Sequence, residues 1–85
     1  MDYIVHRITD NNLMQIKVVV SEYTDELYKK LQQDNLGENI LEIEYNFDDA
    51  MTSARVYSRA YRELFYRNYD VQISVESNGQ ESKNI

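Results

Sequence analysis

Apolar and polar residues alternate with two different periods along this chain. From Tyr3 to Thr9 the period is two: Ile4, His6 and Ile8 share one face, and Tyr3, Val5 and Arg7 the other. Asp10, Asn11 and Asn12 then supply side chains that tolerate left-handed turn geometry. The run LMQIKVVV resumes the alternation, with Met14, Ile16, Val18 and Val20 on one side and Gln15 and Lys17 opposite, so the first twenty residues read as a β-hairpin. The period changes in EYTDELYKKLQQDN, where Leu27 and Leu31, with Tyr23 or Tyr28, form one helical stripe. Ser21 is placed to cap that helix, acids crowd its first turn, and Gly37 follows as a C-terminal cap.

The stretch ILEIEYNF returns to period two, with Leu41, Ile43, Tyr45 and Phe47 on one side and Glu42, Glu44 and Asn46 on the other. Asn46 or Asp48 then caps a second helix over residues 49–68, whose stripe is Ala50, Ala54, Tyr57, Tyr61, Leu64 and Phe65. YDVQISVE closes the pattern with Val71, Ile73 and Val75 inward and Asp70, Gln72, Ser74 and Glu76 outward. The order is β-β-α-β-α-β. Helical connections favour right-handed crossovers between parallel strands, yet half-polar strands suit antiparallel pairing with one wet face. The expected fold is therefore α+β: a small mixed sheet with two helices packed on one face. Eighty-five residues hold one domain, expected over 1–76, with 77–85 a polar flexible tail.

Composition narrows the chemistry. The chain has no Cys, which removes disulfides and thiolate metal sites, and no apolar run of the ~18 residues that a membrane span requires. No membrane partner is expected, and the absence of Cys suits a cytoplasmic setting, that of a host cell if the gene is a phage's. His6 shares the apolar face of its strand, the placement of a packed, hydrogen-bonded core residue, and no serine sits in a nucleophile elbow. The carboxylates match no EF-hand spacing. Neither catalysis nor a metal or other cofactor is expected.

Charge is distributed unevenly. The formal net charge is -6, and residues 1–50 carry eleven acids against four bases. The segment RVYSRAYRELFYR holds four of the five arginines. At about 100° per residue, Arg55, Arg59, Arg62 and Tyr66 stack in one line on the far side of the second helix. Arg and Tyr are enriched at interfaces, so this stripe is a candidate protein or dimer interface, or a contact for nucleic-acid phosphates. The acids offer a competing surface: Glu42, Glu44, Asp70 and Glu76 form a negative sheet face if their strands lie close, with Asp48 and Asp49 at one end.

A short acidic α/β chain rich in Asn, Tyr and Ile resembles, in type, the accessory proteins of phages and mobile elements. The resemblance implies an inhibitor of nucleic-acid-handling machinery, of the anti-CRISPR or anti-restriction kind, that fills a basic site with acidic side chains. The expectation is a non-enzymatic protein-binding module whose acids mimic DNA and engage a basic, nucleic-acid-handling partner. The alternatives are a small nucleic-acid-binding regulator that uses the arginine stripe, and a homodimer in which that stripe is the interface.

Overall fold

A computed structural model describes residues 1–65, 67–77 and 80–84, and side chains up to residue 76 apart from residue 66. Strand β1 (Tyr3–Asp10) and strand β2 (Gln15–Glu22) form the expected hairpin, in antiparallel register with Ile4 opposite Ser21 and His6 opposite Val19. Helix α1 (Asp25–Gln33) begins at Thr24, whose hydroxyl accepts from the Leu27 N–H at 3.0 Å. Thr24 is thus the cap that was expected at Ser21; Ser21 instead ends the buried run of β2. A 3-10 turn (Asp34–Gly37) leads to the short strand β3 (Ile40–Glu44).

Helix α2 (Phe47–Phe65) is capped by Asn46, the first of the two expected candidates. The Asn46 side chain accepts from the Asp49 N–H at 2.8 Å and donates to the Asp49 carboxylate at 2.9 Å, a reciprocal cap. Strand β4 (Asp70–Ser77) follows, and the backbone of Gln80–Asn84, within the stretch read as a tail, forms strand β5 along it. Residues 78, 79 and 85 of that stretch lie outside the described residues.

The sheet order is β3-β1-β2-β4-β5, with β2 and β4 parallel and the other neighbouring pairs antiparallel. The chain is therefore the expected α+β domain with a mixed sheet and two helices. The helices differ from expectation in placement: they divide between the two faces of the sheet. The connection β2-α1-β3 crosses β1 in one direction, and β3-α2-β4 crosses back over β1 and β2. Two right-handed crossovers running in opposite directions lie on opposite faces. The residues agree. Ala50, Met51 and Ala54 of α2 are buried with Val5, Val18, Val20 and Ile73. Leu27 and Leu31 of α1 line a groove with His6, Ile8 and Glu76, which project from the other face.

Two finer expectations also change. The end of α2 overhangs the sheet, leaving Leu64 72% and Phe65 37% exposed, while Met51 and Ser58 complete the buried stripe in their place. On β3 the register slips between Val5 and His6 of β1, so Leu41 packs towards α2 while Ile43, opposite Ile4, stays 39% exposed.

Candidate functional site

Beneath α1 the sheet presents polar groups. His6 and Ser21 are buried on neighbouring strands, with His6 Nε2 2.9 Å from Ser21 Oγ. Ser21 Oγ in turn donates to the Glu76 carboxylate at 3.4 Å. Ser21 thus bridges the imidazole and the carboxylate across three neighbouring strands. His6 Nδ1 is buried and without a hydrogen-bond partner among the described residues, as is the hydroxyl of Ser74. Burial, and secondarily the nearby Lys30 ammonium, lower the His6 pKa from 6.5 to about 4, so the ring is neutral at pH 7.

This face opens into a groove of about 680 Å³, walled by Leu27, Lys30 and Leu31 and by Asp34 and Asn35 of the turn. The arrangement resembles a catalytic serine–histidine pair only in part. The carboxylate holds the serine rather than His6 Nδ1, and Ser21 is 1% exposed, out of reach of a substrate. Among the described residues, no three His, Asp or Glu side chains are grouped so as to hold a metal ion.

The acids divide between two places. Glu42 and Glu44 lie on β3, opposite Val5 and Tyr3, and so belong to the α2 face of the sheet. Asp48 and Asp49 occupy the first turn of α2, both exposed. These four residues share one end of the molecule, where the Tyr3 and Phe47 rings meet at 5.6 Å. The Tyr57 hydroxyl ties the strand to the helix by donating to the Leu41 carbonyl at 3.2 Å and the Glu42 carboxylate at 3.0 Å. Burial and the Glu42 carboxylate raise the Tyr57 phenol above its ordinary pKa.

Asp70 and Glu76 lie elsewhere. Two strands separate β4 from β3, and Glu76, opposite Ser21, belongs to the α1 face. Asp70, at the far end of β4, accepts from the Gln72 amide at 2.7 Å. The condition for one continuous negative sheet face, that β3 and β4 lie close, is therefore not met. Among the described residues none of the six carboxylates forms an ion pair; Arg59 and Glu63 do, at 3.5 Å.

The arginine stripe is also less uniform than its spacing implies. Arg55 is exposed, Arg59 is paired within the helix, and Arg62 donates to the Val71 carbonyl at 3.2 Å, tying α2 to β4. Tyr66 lies outside the described residues. Arg7, placed by the sequence on the Tyr3 and Val5 face of its strand but not among the candidate site residues, is held under α2: its guanidinium donates to Asn39 at 3.1 Å and sits 5.7 Å from the centre of the Tyr61 ring. Rings follow on along the helix, Tyr61 to Phe65 at 6.4 Å and Phe65 to Tyr69 at 5.8 Å. The spacing of 57, 61 and 65 predicted one aromatic stripe; nothing local in the sequence pointed Arg7 at it.

No helix among the described residues is long and apolar enough to cross a membrane. Compared with known proteins, the chain matches no family model, no curated protein and no solved structure.

Proposed function

We propose that this protein is a non-enzymatic acidic binding module that engages a basic, nucleic-acid-handling protein. Its contact surface is the end where β3 meets the start of α2. One observation carries the reading: Glu42, Glu44, Asp48 and Asp49 gather there without a cation partner among the described residues. Strand spacing sets Glu42 and Glu44 about 7 Å apart, and Glu42 lies beside Tyr57, about 13 Å along α2 from Asp48. The four carboxylates thus line an acidic strip, with the exposed Tyr45 ring beside it as an anchor. Such a strip would steer association with a basic cleft and compete for the place of phosphates, as an inhibitor of an anti-restriction or anti-CRISPR kind would. Asp70 and Glu76 stand apart from it and play a minor part.

The test is displacement of DNA from a basic DNA-binding protein of the host, followed across a salt series. The expected result is displacement that fades as salt rises. It should weaken at least about tenfold when Glu42→Gln, Glu44→Gln, Asp48→Asn and Asp49→Asn are combined, while Asp70→Asn has little effect. Full potency in the fourfold variant, or indifference to salt, would sink the proposal. Direct binding of the wild type to DNA at low salt, abolished by Arg55→Ala with Arg59→Ala, would point instead to a nucleic-acid-binding regulator.

A further inference from the structure

The outermost strand of a sheet leaves half of its backbone groups without a ladder partner, and β3 is such a strand. Its phase follows from its neighbour. The Arg7 N–H donates to the Asn39 carbonyl at 2.8 Å, so Tyr3, Val5 and Arg7 are the β1 residues whose backbone faces β3. Glu44 and Glu42, opposite Tyr3 and Val5, therefore turn their own N–H and carbonyl groups inward, to β1. Ile43, between them, turns its N–H and carbonyl outward. Among the described residues no strand lies along that side. The Ile43 side chain is 39% exposed as well.

We infer that the edge of β3 takes up an extended segment of the partner as an added strand, with Lys or Arg at every second residue. The inference rests on the acidic strip proposed above and names the segment which that strip receives. Glu42 and Glu44 flank Ile43 on the α2 face, about 7 Å apart, the interval at which alternate residues of an added strand recur. A basic side chain at each such position meets a carboxylate, and an apolar residue between them falls against Ile43 on the opposite face. The Tyr57 hydroxyl donates to Glu42 at 3.0 Å, which steadies that carboxylate without supplying a cation. The same charges exclude a second copy of this chain. Two β3 strands paired antiparallel about Ile43 would set Glu42 of each against Glu44 of the other, like charges directly opposite on one face. A neutral strand would gain the backbone bonds but leave both carboxylates unmatched. Backbone pairing thus supplies a share of affinity common to any strand, and charge selects the basic one.

The probe is a short, end-blocked peptide that alternates Lys with Val or Thr, titrated into the isotope-labelled full chain at low salt. In the saturated complex the Ile43 amide proton should exchange at least about tenfold more slowly, while those of Glu42 and Glu44, already in the ladder, change little. N-methylation of the alternate set of peptide residues that faces β3 should weaken binding at least about tenfold, and N-methylation of the other set should not. Glu42→Gln combined with Glu44→Gln, in a chain that circular dichroism shows to be folded, should weaken binding about tenfold. A peptide of the same composition with its lysines clustered should bind as weakly. Equal binding of the clustered peptide, tolerance of N-methylation in both sets, an unprotected Ile43 amide, or self-association through Ile43 each overturns the added strand. If DNA displacement still succeeds in that case, the acidic strip stands without it. Peptide binding that protects Ile43 while displacement fails would keep the basic strand and remove the nucleic-acid-handling partner instead.

Discussion

Val18 and Val19 are neighbours on β2, both fully buried, and they enter two different interiors. Val18 meets Val5, Val20, Ile73 and the small face of α2, where Ala50 and Ala54 let the helix approach closely. Val19 lies among His6, Ser21 and Ser74, beneath a nine-residue helix that leaves a groove beside it. One face is an apolar core spanned by nineteen residues of helix; the other is a hydrogen-bonded layer under a thin cover. Dispersion and apolar burial hold the first, while the second rests on the His6–Ser21–Glu76 hydrogen bonds and leaves His6 Nδ1 and the Ser74 hydroxyl without partners among the described residues. The difference teaches where the fold is decided and where it can yield.

The sharpest way to break this contrast is to cut one large side chain from each face. Met51→Ala removes a side chain only 4% exposed from under α2 and should cost about 3 kcal/mol, read as a lower urea midpoint with an unchanged slope. Leu31→Ala, on α1, should cost at least about 1 kcal/mol less, because a short helix over an open groove can settle into the space. Equal losses would mean that α1 is as integral to the core as α2, and the contrast would fall.

Acid probes the polar face through His6. His6 titrates near 6.5 in the unfolded chain and at about 4 in the fold, so between those values the unfolded state binds more protons. The stabilising contribution is therefore complete above pH 6.5 and is lost as pH falls through about 4. The shift corresponds to on the order of 3 kcal/mol over that window. Urea unfolding from pH 7 to pH 4 should show this slope, and His6→Leu should remove it while leaving the slope from carboxylates. An identical pH dependence in both proteins would show that the ring is not held neutral, and that the α1 face is wetter than its hydrogen bonds imply.

Much of this was legible in the chain itself. Period-two runs over Tyr3–Thr9 and Val71–Glu76, and the Ala50–Ala54–Tyr57–Tyr61 stripe, give the elements, because local periodicity reports which side of an element is buried. The consecutive Val18, Val19 and Val20 carried a further signal: a strand apolar on both sides is covered on both sides. That signal, with the reversal of chain direction at β3, is what separates the helices. The acids were harder. Whether Glu44 and Glu76 share a surface depends on strand order, which is a property of long-range pairing. The His6–Ser21 contact depends on register, and only the hairpin pairing of Ile4 with Ser21 brings the two side chains together.

The smallest effect tests the outer wall of the groove. Asn35, Leu36 and Gly37 adopt φ of 52°, 57° and 80° in succession, a left-handed turn between α1 and β3. Asn and Gly accept that geometry readily, but Leu there costs roughly 1–2 kcal/mol in steric strain. Leu36 gains no burial in return, since it is 91% exposed. Leu36→Gly should remove the clash, lose about 0.5–1 kcal/mol to the greater freedom of the unfolded chain, and leave a net stabilisation of about 0.5 kcal/mol. Careful thermal or urea unfolding resolves a difference of that size when both proteins are measured side by side. Stabilisation would confirm that the α1 side tolerates strain which the apolar face has no room to hold. Destabilisation would mean that Leu36 supports the turn through a contact its exposure conceals, and the groove wall would then be firmer than its backbone geometry indicates.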